Sequence, residues 1–570
     1  MDFCSDVSTS IRPIALLELT NVVTVDTGVI SATLVSIGDS LSSHELTTIE
    51  KSLIAASTSL FALFVSPISG QLANTLGRKR VILVADILFI VGALSQAFAS
   101  TVWVMVLGRS VIGLAVGAAS FVTPLYIAEL APSMFRGRLV TLNVLFITLG
   151  QVVAYIMGWA FAQWGGVNGW RWLVGFGAFP AALQCCVMVF MPESPRWLVQ
   201  VARVEEAKGV LKSVYGKHGE PKEMVKPVLK AIEKEVREEE EAKRERSRGR
   251  PARKMKWYTE MLDSWMELFG VPGNVRALSI ACLLQGLQQL CGFVSSLFLL
   301  FVLISHCSDE VEHSIASNAR ALVTRVPHYC IKKQVTCDLL CSCDPSTSIV
   351  YAPSNLTTTQ NSLMYFSATL FSLLGFATPT LTSLSVATTN FLFTIVSLLL
   401  IDRLGRRRIL LLSIPFMALA LFCCAFTFHF IDLPEPGDPE TSKGGQGIAV
   451  LVVIFIILYV AGYAVGLGNV PWQQSELFPL SIRSLGSSIA TAMNWASNFA
   501  VGVTFLQMLD GLGPSATFIV YGMVCAIGWV AVWFIYPETN GLSLEETGEL
   551  LKDGWGVRVA PVGEGYGGER

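Results

Sequence analysis

Residues 129–136 read ELAPSMFR and residues 476–483 read ELFPLSIR. Each is E-x-x-P-x-x-x-R, and each follows an apolar run of the length a helix needs to cross a bilayer core, about 20 residues. Two further pairs occur in the same order. Gly77-Arg78-Lys79-Arg80 is matched by Gly405-Arg406-Arg407-Arg408, and Pro192-Glu193-Ser194 by Pro537-Glu538-Thr539. One such match would be weak, but three in register argue that the chain is an internal duplication.

The hydropathy pattern around these motifs agrees. Apolar runs lie at 52–72, 81–99, 103–128, 138–161, 171–191, 275–293, 380–401, 409–430, 447–470, 483–508 and 515–536, with a weaker one at 14–38 interrupted by Glu18 and Asp26. That makes twelve spans. Only 15% of the 570 residues are charged and the mean hydropathy is +0.56, whereas an ordinary soluble domain carries about 25% charged residues. Arginines and lysines 78–80, 136–138 and 403–408 mark loops that face the cytoplasm, as do both termini of an even-numbered bundle. The loop after the ninth span is acidic (Asp432, Glu435, Asp438 and Glu440) and faces outward. The fold class is therefore an all-α membrane protein, with twelve transmembrane helices in two pseudo-symmetric six-helix bundles, 1–191 and 274–536. A cytoplasmic helical linker, 192–273, joins them, and 537–570 is a cytoplasmic tail.

The same composition excludes other classes. A net charge of −2 leaves no basic excess for nucleic acid, and the mixed signs of the linker read as amphipathic surface helices. Of the 13 cysteines, Cys185, Cys186, Cys423 and Cys424 sit in apolar runs, where a thiol behaves as a small hydrophobe rather than a disulfide partner. No cleaved-leader pattern opens the chain. No nucleophile–base pair or metal-ligand set emerges, so neither an enzyme nor a cofactor or metal is expected.

Three groups of residues carry candidate chemistry. At the cytoplasmic helix ends stand Arg78, Glu129, Arg136, Glu193 and Arg196 in the first half, and Arg406, Glu476, Arg483 and Glu538 in the second. Ion pairs among them can clamp the halves shut on the inside; alternatively, the arginines only fix topology. Inside the spans, Asp26 and Arg109 are ionisable, which is costly and a functional hypothesis by default. A carboxylate in low dielectric favours its proton, and a nearby arginine favours its charge, so a moving arginine can switch proton affinity. Finally, Gln151, Gln288, Gln289, Asn390 and Asn494, with Trp472 and Trp495, offer the amides and aromatic faces that a neutral polyol needs. A lone intramembrane amide is otherwise interhelical glue.

These residues resemble a sugar porter of the major facilitator superfamily, through the GR[KR] loops, PESPRWL at 192–198 and PETNG at 537–541. The similarity is closer to fungal myo-inositol/proton symporters, in DTGVIS at 26–31, PLYIAELAPSMFRGRLVTLNVLFITLGQ at 124–151, TNFLFT from Thr389 and GLGNVPWQQSELFP at 466–479. The resemblance implies alternating access, no cofactor, a monomer in the plasma membrane, and Asp26 carrying the coupling proton beside Arg109. It also makes Gln151, Gln288, Gln289, Asn361, Tyr365, Asn390, Trp472, Asn494 and Trp495 substrate contacts. Three positions depart from the pattern. Val144 replaces a glutamine usual in hexose carriers, which favours a non-hexose ligand. Asn74 replaces a loop aspartate, and Val25 stands where the glycine-rich start of the first span is expected, so that span reads as incomplete.

The resemblance also locates an atypical insertion. Gln288–Phe293 and Asn361–Phe371 are pieces of one seventh span, separated here by residues 294–360. The expectation is a retained intron translated in frame, since Val294-Ser295 can encode a splice donor and Gln360 an acceptor. Two alternatives are an extracellular loop with the sequon Asn355-Leu356-Thr357, and a zinc site built from His328, Cys330, Cys337, Cys341 and Cys343. The expected function is proton-driven import of a polyol, myo-inositol first. Alternatives are a hexose transporter, a non-transporting nutrient sensor, or an inactive product of the insertion.

Overall fold

The computed structural model describes residues 23–130 except 39 and 43, 136–215, 221–247, 257–290, and 366–430 except 372, 373, 375 and 377. It also describes 446–539 except 480 and 481, and 550–557 except 553. The side chains of Asp26, Arg136, Trp472 and Glu476, and all of Asn361 and Tyr365, lie outside the described residues, as does the insertion 294–360. By contacts the chain divides into two units, Met1–Phe293 with Leu356–Arg570, and Val294–Asn355; every described helix belongs to the first.

Among the described residues every regular element is helical. The first half contains α1 (Val23–Ser36), α2 (Thr48–Leu76), α3 (Arg78–Ala97), α4 (Val102–Leu130), α5 (Arg136–Trp164) and the broken pair α6 (Gly169–Phe176) and α7 (Ala178–Phe190). Four helices lie in the linker: α8 (Pro195–Gln200), α9 (Val204–Tyr215), α10 (Pro221–Ser247) and α11 (Trp257–Gly270). The second half contains α12 (Pro272–Leu290), α13 (Pro379–Leu404), α14 (Arg406–Phe428), α15 (Gln446–Val465), α16 (Arg483–Gly511) and α17 (Gly513–Ile535).

Nine of the described helices are long and apolar enough to cross a membrane, or ten if α11 and α12, bent by 91°, count as one span. The expected first and eleventh spans fall outside that number for different reasons. Helix α1 has 14 described residues, or about 21 Å at 1.5 Å per residue, against a hydrocarbon core of about 30 Å. Helix α16 is long enough, but it buries a polar face that includes Ser488, Thr491, Asn494, Ser497 and Asn498. Its hydropathy is low because its interior side is where the polar groups are needed.

Helix α2 is the hub. It begins with a capping box in which Thr47 and Glu50 satisfy each other's backbone N–H groups, as orphan amides at a helix start require. Within its own half it lies almost backbone to backbone on α4: a Cβ at Gly117 would stand 2.6 Å from the Ala62 carbonyl oxygen. Small residues allow this approach, and dispersion at close range is what holds helices together in lipid. Across the halves α2 packs on α16, where Gly502 meets Ala56 and the Thr48 hydroxyl donates to Asp510 at 2.8 Å. The pseudo-equivalent crossing is α5 on α13.

Candidate functional site: a buried amide cluster and two helix caps

The polar interior of the second half is built by α12, α16 and a break in the chain after α15. Gln285, Gln288 and Gln289 recur on one face of α12 at helical spacing and meet Asn494 of α16. The Asn494 amide NH2 donates to Gln285 Oε1 at 2.7 Å and to Gln288 Oε1 at 2.8 Å. Its carbonyl oxygen accepts from Gln289 Nε2 at 3.2 Å. All four side chains are buried.

The break supplies the remaining partners. Helix α15 ends at Val465, Gly466-Leu467-Gly468 unwinds it, and Val470–Leu477 continues as a 3-10 helix that has Pro471 in its first turn. Carbonyls freed by the unwinding are used at once: Gly468 O accepts from Gln288 Nε2 and Pro471 O from Gln285 Nε2, both at 3.1 Å. Irregular backbone at membrane depth is tolerated only where it is buried in protein or lines a polar cavity, and discontinuous helices are where transporters hold their cargo.

Three buried carbonyl oxygens in this region accept no hydrogen bond among the described residues: Gln289 Oε1, Asn469 Oδ1 and Gln474 Oε1. Each is an acceptor for a hydroxyl. The amides that are paired bond one another or nearby backbone carbonyls, and exchanging either kind of bond for an amide–hydroxyl bond costs little net free energy. The cluster can therefore open to a ligand rich in neutral hydroxyl groups, whereas an ion would find no counter-charge among these side chains.

The other expected contacts are distributed differently. Asn390 of α13 donates to Gln151 of α5 at 3.1 Å, a separate buried amide pair joining the two halves. Trp495 reaches the first half. Its Nε1 donates to Ser120 Oγ of α4 at 3.1 Å, and its ring packs into the apolar core of the first half; it is a tie between bundles. Arg109 is 1% exposed and turns its Nε to the Ile54 carbonyl of α2 at 3.2 Å. Gln285, Asn469 and Gln474 were missed in the sequence, although the Gln-x-x-Gln-Gln spacing on α12 is a signal for the first of them.

At the opposite end the repeated motifs form two equivalent caps. Gly77 and Gly405 have φ of +93° and +85° with ψ near extended, a region open essentially to glycine. The turn aims the first backbone N–H groups of α3 and α14 at a carboxylate from the end of the sixth or twelfth span. Glu193 Oε1 accepts from the amides of Arg78 and Lys79, each at 3.1 Å. Glu538 accepts from those of Arg406 and Arg407 at 3.0 and 3.2 Å. A carboxylate at a helix N-terminus is favoured by both the orphan donors and the dipole.

The expected clamp residues also take partners within their own half or its linker. The Arg78–Glu129 ion pair, 2.9 Å and almost fully buried, joins two helices of the same half, with Ser194 Oγ on the second carboxylate oxygen. Arg196 pairs with Glu235 of linker helix α10 at 3.3 Å, and Arg483 donates to the Phe478 carbonyl five residues back. These contacts brace each bundle and its linker.

Comparison with known proteins adds three findings. Residues 21–310 and 345–551 match the model of a family described as "Sugar (and other) transporter", leaving 311–344, inside the insertion, outside the match. The chain is 38% identical to Myo-inositol transporter 1 of Cryptococcus neoformans var. grubii, over 94% of this chain and 79% of that one. It is 36% identical to the proteins of that name in Candida albicans and Saccharomyces cerevisiae, again over 94% of this chain and over 82% and 78% of theirs. Among solved structures, the bacterial xylose symporter XylE superposes with a TM-score of 0.68 at 22% identity, covering 96% of this chain and 99% of that one.

Proposed function

Since this chain belongs to the family of sugar (and other) transporters and has the major facilitator fold, we propose that it is a proton-coupled symporter that imports a cyclic polyol, myo-inositol first. The observation that carries the substrate class is the buried amide cluster: Gln285, Gln288, Gln289 and Asn494 present donors and acceptors with no charged side chain among them, which suits a neutral polyhydroxylated ring. The names of its relatives supply the particular polyol. Val144 favours the same choice over a hexose.

The halves rock about the α2–α16 and α5–α13 contacts, exposing the amides to each side in turn. Asp26 carries the coupling proton and Arg109, buried at the first half's interior, sets its affinity by moving towards or away from it. One proton yields about 2.3 kcal/mol per 100 mV of potential and about 1.4 kcal/mol per pH unit. At about 100 mV and one pH unit that supports roughly several hundredfold accumulation. The protein works as a monomer in the plasma membrane with both termini in the cytoplasm, and performs no covalent chemistry.

A second reading comes from the insertion. Residues 294–360 separate Gln288 and Gln289 from Asn361 and Tyr365, so the chain carrying them is a poor or inactive carrier, and the form lacking them is the competent one. Uptake of radiolabelled myo-inositol in transport-deficient cells, with the full chain and with 294–360 deleted, each with and without a proton uncoupler, tests all of this. Concentrative, uncoupler-sensitive uptake by the deleted form is expected. Uptake that ignores the pH gradient, or that survives Asp26→Asn unchanged, rejects proton coupling; preference for a hexose rejects the substrate.

A further inference from the structure

The first half holds one more ionisable group inside a span, used by neither the amide cluster nor the caps. Asp86 lies on α3, eight residues or about 12 Å inside its Arg78 end, and is 2% exposed. It shares the buried stripe of α3 with Ile82, Phe89, Gly92 and Ala93, on the side packed against α4 and the α6–α7 pair. Its Oδ2 is buried without a hydrogen-bond partner among the described residues. That distinguishes it from Glu129, whose two oxygens take Arg78 and Ser194, and from Glu193, whose Oε1 accepts from backbone amides.

The charged groups of the surrounding elements are committed elsewhere. On α4, Arg109 donates to Ile54 O and Glu129 takes Arg78. On α6, Arg171 donates to the carbonyls of Ala97 and Ala99 at the far end of α3. On α3 itself, Lys79 Nζ donates to Val189 O, and on α2 Glu50 closes the capping box. Cys185 of α7 lies close enough to Asp86 to interact with it, and a thiol offers no positive counter-charge. An ionised carboxylate left without a partner in such a place costs several kcal/mol, and a carboxylic acid there costs far less.

We propose that Asp86 is a proton-binding site of the transport cycle, additional to Asp26. It holds a proton in the conformation seen here. When α3 and α7 part, water enters from the Arg78 end, the carboxylic O–H bond breaks, the proton passes to that water and the carboxylate keeps the negative charge; closure requires the reverse. The inference rests on the proton-coupled reading above.

Its test uses the purified protein in lipid, the full chain for the infrared readout and the form lacking 294–360 for the transport readout. Infrared difference spectra between acid and alkaline buffer should show a protonated-carboxyl C=O band that Asp86→Asn removes and Asp26→Asn leaves. In proteoliposomes, Asp86→Asn should lower gradient-driven accumulation of radiolabelled myo-inositol about tenfold or more, keep counterflow exchange, and be rescued by Asp86→Glu. A spectrum in which Asp86→Asn removes no band overturns the proposal, as does wild-type accumulation with an unchanged pH profile in that variant. Loss of exchange together with accumulation in the reconstituted variant also overturns it, by making Asp86 part of the scaffold. If the unsubstituted chain itself ignores the gradient, the coupled reading fails, and the infrared band alone decides whether Asp86 binds a proton.

Discussion

The two halves agree closely at one end and disagree in the middle. Their caps repeat: a glycine at positive φ, two successive backbone amides, and one carboxylate, Glu193 or Glu538, that accepts from both. Their interiors do not. The first half buries ionisable groups, Arg109 and Asp86, while the second buries amides gathered on Asn494. The parts that position helices are shared between the halves, whereas the parts assigned above to cargo and proton differ; under the proposed function, that chemistry is divided between the halves.

That division can be attacked by substitution. The largest effect on stability is expected from Arg78→Met, which strands Glu129 as an unpaired buried charge; breaking such a pair costs about 3–5 kcal/mol, and the amount of folded protein recovered from membranes should fall accordingly. Next is Asn494→Ala, which deprives three glutamines of their partner. Uptake should drop by about a hundredfold, in line with about 1–3 kcal/mol for each buried polar group left unsatisfied, whereas Asn390→Ala, which breaks one amide pair, should cost less. Equal losses for the two would mean that the polar interior of the second half is not centred on Asn494.

Smaller effects probe the shared caps. Gly77→Ala and Gly405→Ala both force a side chain into a glycine-only conformation, and each Cβ would meet a carboxylate oxygen at 2.5 Å. Each should cost about 1–3 kcal/mol of stability, measurable by thermal unfolding in detergent, and the two costs should agree. Smallest are Glu193→Gln and Glu538→Gln, which keep an acceptor but remove its charge at a helix N-terminus, for about 0.3–1 kcal/mol each. A large difference within either pair would break the symmetry of the caps.

Much of this was legible in the sequence because it depends on local spacing. Repeated E-x-x-P-x-x-x-R and GR[KR] motifs announce two halves, and Gln288 and Gln289 announce a polar face on α12. What escaped reading depends on which surfaces meet. The Glu193 contact runs to backbone amides, which carry no side-chain signature, so the caps could not be read from the sequence. Trp495 reads as a sugar-facing ring, and its bond to Ser120 of α4 has no signature in the sequence. Asp86 sits in an apolar run of α3 like any tolerated polar residue, and its isolation is visible only once the neighbouring charges are placed.

The caps have a further consequence, for drift. A carboxylate that grips peptide N–H groups is blind to the side chains those peptides carry. Lysine at position 79 and arginine at 407 are held by the same contacts, and almost any residue could replace them there without loosening the grip. Only proline, which has no N–H to offer, is shut out. The anchoring glutamates and glycines thus fix the joint, and positions 79 and 407 are open to exchange.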